Sequence, residues 1–325
     1  MLLASLRAAE PERLVRAHLR DRTVRAALRR VEGRLVVAAI GKASLAMARA
    51  AREALGARLR EGIVVSPAPG ELRGLRIHVA SHPLPDARGL EAARDVEALA
   101  ASLGPRDLLL LLLSGGASAL LPAPVPGLSL EDKVRTTELL LRAGADIREL
   151  NAVRKHLSRL KGGGLVRAAA PARVLSLVLS DVVGDDLSTI ASGPAFPDPT
   201  TYADALAVLD ARGLREAVPA AVRAHLEKGA RGEHPETPKP GDPVFERITT
   251  RLVGGNRQSA EAAAREARRR GFRPLVLTTR LEGEAREVAR VLVSILRACV
   301  EGGGPARPPV ALVAGGETTV SVRGQ

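Results

Sequence analysis

The chain has 325 residues, a formal net charge of +13 and 46% apolar residues, yet only three Phe, one Tyr and no Trp. That length allows two domains, or one large domain with an appendage, built around an aliphatic core. The single cysteine, Cys299, excludes an internal disulfide and a cysteine zinc site, and suits a reducing cytosol.

The charge does not by itself mark a nucleic-acid binder. Only six of the 49 cationic residues are Lys. The arginines are scattered along helical patterns such as EAAAREARRRG (261–271), with no aromatic platforms on which bases would stack. A basic protein does attract anionic small molecules, phosphates among them. The opening Met1-Leu-Leu-Ala-Ser-Leu-Arg7 is soon interrupted by charge, so no secretory signal is expected. The longest apolar run, Leu108–Leu113, is too short to span a bilayer.

Strand-length apolar runs alternate with helical patterns. Leu35–Ile40 leads through GKAS into the helix AMARAAREAL, and Ile63–Val65 and Leu75–Ala80 are shorter strand candidates. A helix is predicted at about 88–103, then a strand at Leu108–Leu113 followed by SGGASALL. Ser129-Leu-Glu-Asp132 is a capping-box variant opening a helix to about Gly144, with another over about 146–160 and a strand at Val174–Leu179. Strands without polar alternation, separated by helices, predict a parallel sheet covered on both faces. The fold class is therefore α/β: a Rossmann-like three-layer domain followed by a second, smaller α/β domain. The stretch 229–245, GARGEHPETPKPGDPVF, reads as a linker. It places the domains at 1–235 and 236–325. Beyond it come strand 248–253, helix 257–270, strand 273–279, helix 284–300 with Cys299 buried in it, strand 309–314 and strand 318–322. Ending at Gln325 amid a hairpin pattern, the second domain is expected to be incomplete at its C-terminus.

Several strand ends pair glycine with a polar group. Gly41-Lys42-Ala43-Ser44 sets a lysine at a helix mouth, and Ser114-Gly115-Gly116-Ala117-Ser118 offers backbone N–H groups and two hydroxyls. Each is equally a tight βα turn when taken singly. No G-x-x-x-x-G-K-[ST] or G-x-G-x-x-G occurs. Arg154 and Lys161 share a helix face two turns apart and could bracket a polyphosphate, the alternative being a solvated face ahead of a glycine cap. His82-Pro83-Leu84-Pro85-Asp86 is a rigid turn suited to structure or to a pocket rim, and none of the six histidines has metal-ligand spacing to another.

After the strand ending at Leu179 the chain reads SDVVGDDLSTIASGPAFPDP. Strand ends are where open α/β sheets hold ligands. Asp181, Asp185 and Asp186 crowd negative charge into one short loop, and a divalent cation would relieve the repulsion between such carboxylates. Oxygen ligands of this kind suit Mg²⁺, and a carboxylate can accept the proton of an attacking hydroxyl. Glycine cradles, cations and acids together suggest phosphoryl transfer.

GKAS (41–44), HPLPD (82–86), LSGGASALL (113–121), NAVRKHLSRLKGG (151–163), SDVVGDDLSTIASGPAFPDPTT (180–201) and GGETTVSV (315–322) occur in this order. Together they resemble the class II glycerate kinases over nearly the whole chain. The resemblance implies ATP-dependent, Mg²⁺-assisted phosphorylation of D-glycerate, usually to 2-phosphoglycerate, in a cleft between two α/β domains. It implies catalytic roles for Lys42, Arg154 and Asp181. Substrate or ATP would be bound by Ser114, Gly115, Gly116, Ser118, Lys155, Lys161, Asn256 and Glu317, and metal by Asp181, Asp185 and Asp186. Lys42 and Arg154 would neutralise carboxylate and phosphates. A cytoplasmic enzyme follows, with glycerate and ATP as partners, a homodimer among the expected states, and neither nucleic acid nor membrane bound. The family runs on into a G-x-G-x-G-G-R-N-Q-E motif beyond the point where this sequence stops, and KGGGLV lacks the arginine that usually follows the two glycines. The alternative is an oxidoreductase, since some members are labelled hydroxypyruvate reductases; the absent dinucleotide fingerprint argues against it. A non-catalytic nucleic-acid binder is the distant third.

Overall fold

The computed structural model describes residues 1–321. The apolar runs become strands β1 (Leu35–Ile40), β2 (Leu59–Ser66), β3 (Arg76–Val79), β4 (Leu108–Leu113), β5 (Arg173–Leu179) and β6 (Ile248–Gly254). They form one sheet in the order β3-β2-β1-β4-β5-β6. β1 pairs in parallel with β2 and β4, β2 with β3, and β4 with β5. Every residue of β1 and β4 is buried, which requires cover on both faces of the sheet. The six leucines of β4 are at most 2% exposed, each contributing about 1.5–3 kcal/mol of transfer free energy. The helix after β1, Ser44–Leu55, presents Met47, Ala48, Ala50 and Ala51 as fully buried residues, and its alanines permit close packing.

The strand order determines where a ligand belongs. From β1 the chain moves outward through β2 and β3, then returns to place β4 on the other side of β1. The crevice beyond the carboxyl ends of β1 and β4 is thus the topological switch point. The register Ile40↔Leu113 ends both strands at the same level, so the loops beginning at Gly41 and Ser114 lie side by side.

Helices Leu130–Arg142, Ile147–His156, Tyr202–Ala211 and Ala220–Ala230 share a second aliphatic core containing Leu140, Val153, Leu209, Val222 and Leu226. Three of them begin with capping boxes: Ser129 with Asp132 as predicted, Asp146 with Glu149, and Thr201 with Asp204. The helix predicted to reach 160 stops at His156. Gly162 and Gly163 adopt φ of +52° and +83°, closed to a right-handed helix, and their N–H groups donate to the Ser192 and Gly193 carbonyls at 3.0 and 2.8 Å.

The chain divides into two compact units. One comprises Val15–Val178 and Leu187–Arg251; the other comprises Met1–Leu14, Leu179–Asp186 and the chain from Leu252 onward. The division therefore falls elsewhere than at 235/236, and the first unit tethers the stretch read as a linker. There Glu236 meets His156 Nε2 at 3.1 Å, Thr237 Oγ1 donates to Asp198 at 3.1 Å, and Lys239 donates to Glu236 at 2.9 Å and to the Thr200 carbonyl. In the other unit, β7 (Arg273–Leu281) pairs in parallel with β8 (Val310–Gly316), alongside helices Asn256–Arg269 and Ala285–Glu301, with Cys299 buried. Of the strand predicted over 318–322, Thr319 makes a single bridge with Glu284, and Val322 lies outside the described residues. Among the described residues no helix is long and apolar enough to cross a membrane.

Candidate active site

In the first unit the two glycine loops interlock at the switch point. Lys42 N–H donates to the Gly115 carbonyl at 2.8 Å, and Ala43 N–H donates to Ser114 Oγ at 3.0 Å. Ser114, 2% exposed, therefore ties the loops together with the hydroxyl that had been expected to face a ligand. Gly116 has φ +83°, and a Cβ there would sit 2.8 Å from the His82 ring and 3.2 Å from Lys42 Cγ. His82, the Lys42 stem and bare Gly116 backbone form one wall, so the HPLPD turn belongs to this site. Lys42 itself is exposed.

A polar relay lies behind that wall. Ser192 Oγ donates to Asn151 Oδ1 at 2.9 Å, so Ser118 Oγ, 2.8 Å from Ser192 Oγ, is left to donate to it. Lys161 Nζ donates to the Ser118 carbonyl at 3.1 Å. Ala191 and Ser192 both adopt left-handed φ, +56° and +59°, at about 1–2 kcal/mol each for residues with a Cβ. Strain of this kind clusters at functional sites. Lys161 and Lys133 are 4% and 8% exposed, and Lys133 donates to the Leu157 carbonyl at 2.9 Å. Burial lowers both lysine pKa values well below the usual range, and the neighbouring cations lower them further. Arg154, half-buried on helix Ile147–His156, is also lowered by desolvation.

Lys155 is engaged elsewhere. It forms a buried ion pair with Asp198 at 3.3 Å; the two are 5% and 0% exposed. Asp198 also accepts from Thr200 N–H at 3.1 Å and from the Thr200 and Thr237 hydroxyls at 2.7 and 3.1 Å. A lysine held this way anchors the 196–201 loop.

The acidic loop belongs to the other unit, together with the loops after β6, β7 and β8. Asp185 adopts φ +56°, and its carboxylate packs over Gly255, 2.7 Å from where a side chain would begin. Its Oδ1 is sealed from solvent without a hydrogen-bond donor. The Arg280 guanidinium lies 3.5 Å from the corresponding point at Gly184. Asn256 Nδ2 donates to the Thr279 carbonyl at 3.3 Å, and its Oδ1 packs against Gly315. Glu317 N–H donates to the Leu281 carbonyl at 2.9 Å while its side chain is exposed, as are Asp181 and Asp186. Among the described residues no three acidic, His or Cys side chains gather as a ready metal cage, the three aspartates included. Mg²⁺ needs only one or two carboxylates beside substrate phosphates, and the orphaned Asp185 oxygen is a fitting ligand for it.

Sequence reasoning missed Asn151, Lys133 and Ser192. Asn151 precedes Arg154 by one helical turn on the same face, and Lys133 is one of only six lysines in an arginine-rich chain.

A parallel α/β sheet with glycine loops and a lysine at its switch point places this protein in the class of open α/β proteins, whose ligand crevice lies at that point. A family model described as a domain of unknown function (DUF4147) matches residues 1–227. Glycerate 2-kinase of Pyrococcus horikoshii is 42% identical over 297 residues, 91% of this chain and 66% of that protein. D-glycerate 2-kinase of Thermotoga maritima is 40% identical over 308 residues, 94% and 71%. An Agrobacterium vitis protein provisionally named a hydroxypyruvate reductase is 44% identical over 90% of this chain and 65% of its own. The crystal structure of glycerate kinase from Thermotoga maritima superposes with a TM-score of 0.83 at 38% identity, covering 100% of this chain and 74% of that one. The chain belongs to the glycerate kinase family. It spans about two thirds of the length of the curated relatives it matches.

Proposed function

We propose that the protein phosphorylates D-glycerate, transferring the terminal phosphoryl group of ATP to a glycerate hydroxyl, with 2-phosphoglycerate as product. The observation that carries this reading is the interlocked pair of glycine loops at the switch point. It puts exposed Lys42, bare Gly116 backbone and His82 on one wall, in a chain of the glycerate kinase family. Phosphoryl transfer demands positioning and charge neutralisation more than covalent chemistry by the protein, and these parts supply both. Lys42 neutralises phosphate charge, and the Gly115–Gly116 backbone holds an anion close because no side chain intervenes. Asp181 is the acceptor for the hydroxyl proton. Asp185, with Asp181 or Asp186, would hold Mg²⁺, which when bound offsets charge on the transferring phosphate. Asn256 and Glu317 bind nucleotide or substrate. The reading carries with it a cytoplasmic homodimer that does not bind nucleic acid.

The test is phosphorus NMR of the protein with D-glycerate and Mg-ATP. A phosphoglycerate resonance supports the reading, and its shift identifies the carbon. Silence from both this chain and a form extended to the relatives' full length refutes it. The oxidoreductase reading draws on the name of the Agrobacterium relative. It requires glycerate-dependent absorbance at 340 nm with a nicotinamide cofactor, for which the sequence offers no G-x-G-x-x-G cradle.

A further inference from the structure

Cations in a protein interior are ordinarily matched by carboxylates, because an unpaired buried charge is costly. Lys155 obeys this rule through Asp198, and Arg159 through Glu97 at 2.8 Å. Among the described residues, buried Lys133, half-buried Arg154 and buried Lys161 have no such carboxylate. They come from helix Leu130–Arg142, helix Ile147–His156 and the loop after it, and they are close enough to perturb one another: Arg154 acts on both lysines, and Lys133 on Lys161. The charged groups that lower the two lysines are cations, Arg154 at both, Arg159 at Lys133 and Lys133 at Lys161. The two lysines donate only to neutral carbonyls, those of Leu157 and Ser118.

A second observation points the same way. Asn151, 4% exposed, has its oxygen satisfied by Ser192, while its amide nitrogen has no partner. The Ser192–Ser118 relay links this amide to the Ser118 residue whose carbonyl receives Lys161. An idle buried donor near two buried lysines and the half-buried Arg154, none of them matched by a carboxylate among the described residues, is the complement of an anion.

We propose that Lys133, Arg154, Lys161 and the Asn151 amide form a seat for one compact oxyanion, a carboxylate or a phosphoryl group, in which Lys133 is a binding residue. The inference rests on the kinase reading for the identity of the anion: the glycerate carboxylate or a nucleotide phosphate.

Calorimetric titrations of the parent and of Lys133→Met with D-glycerate alone, ADP alone and inorganic phosphate alone test it. Methionine keeps the length of the stem and removes the charge. The seat predicts that phosphate binds the parent and that Lys133→Met weakens it by about tenfold or more, the loss expected for one charge-assisted contact. Whichever of glycerate and ADP loses affinity in parallel identifies the source of the anion. Lys133→Arg, which retains the charge, should keep the larger part of the affinity. Without ligand, Lys133→Met should melt no lower than the parent, because one of three mutually repelling charges is gone; a purely structural lysine would give a lower melting temperature. If Lys133→Met does not fold, Lys161→Met replaces it in the same titrations. Affinities equal to the parent's for all three ligands overturn the seat and leave the kinase reading standing. A parent that binds none of the three overturns both.

Discussion

Asp198→Asn separates a structural Lys155 from a ligand-binding one. Asparagine keeps the shape of the side chain and an acceptor for Thr200, and it can still pair with the Thr237 hydroxyl. What it removes is the charge opposite Lys155, a lysine only 5% exposed. Taking one partner from a buried ion pair costs about 3–5 kcal/mol, most of it the penalty of the stranded charge. Asparagine preserves the neutral hydrogen bonds, so the lower end, about 3 kcal/mol, is expected. For a unit of this size that corresponds to a fall in melting temperature of roughly 6–12 °C. Urea unfolding of the parent, Asp198→Asn, Lys155→Met and the double variant measures it. The double variant should recover most of the loss, giving a coupling energy of roughly 2–3 kcal/mol. A loss below about 1 kcal/mol in Asp198→Asn would refute the assignment, being no more than an exposed pair is worth. So would a Lys155→Met variant of parental stability that no longer binds glycerate.

Gly116→Ala must displace His82 or the Lys42 stem and also adopt φ +83°, so kcat/KM for glycerate phosphorylation should fall at least about tenfold, with a stability cost of about 1–2 kcal/mol in chemical denaturation. Asp185→Gly removes the penalty of φ +56° along with the orphaned carboxylate. It should therefore unfold at an equal or higher denaturant concentration, by up to about 1 kcal/mol, while losing phosphoryl transfer; retention of full activity would strip Asp185 of its proposed role. Stability should also depend on pH below the unfolded lysine value. Lys133 and Lys161 titrate lower in the folded chain than unfolded, where lysine stands near 10.5, so in that window the unfolded state holds more protons. The ligand-free protein should gain stability as pH rises through the depressed values, the gain ending near the unfolded value, and the gain should be smaller in Lys133→Met, where only Lys161 remains to supply it. Tyr202, raised by burial, opposes the gain only above the ordinary tyrosine value near 10.

The sheet was legible because its signal is local. A run such as Leu108–Leu113 has no polar face to offer water, and only a strand covered on both sides satisfies it. The glycine loops were legible for a related reason: Gly116 marks a position where the backbone turns left-handed and approaches a neighbour. The course of 229–245 was not legible. Its prolines and charges resemble a linker in sequence, but Glu236, Thr237 and Lys239 find partners far along the chain at His156, Asp198 and Thr200. The length of the helix ending at His156 was hidden in the same way, because its end is set by Ser192 and Gly193 accepting hydrogen bonds from Gly162 and Gly163.

The roles of the lysines divide along the same line. Composition isolates six of them among 49 cations but says nothing of which are buried. Residues 155 and 161 sit six apart in one stretch of sequence, and both were expected to meet substrate. The fold gives the first a carboxylate and leaves the second among other cations. Sequence by itself determined the α/β class, the strand sites and the family motifs, since each depends on the order and chemistry of neighbouring residues. Tertiary structure alone decided which charges are balanced, because in a low-dielectric interior the behaviour of an ionised group is set by what packs against it, and those neighbours are distant in the chain.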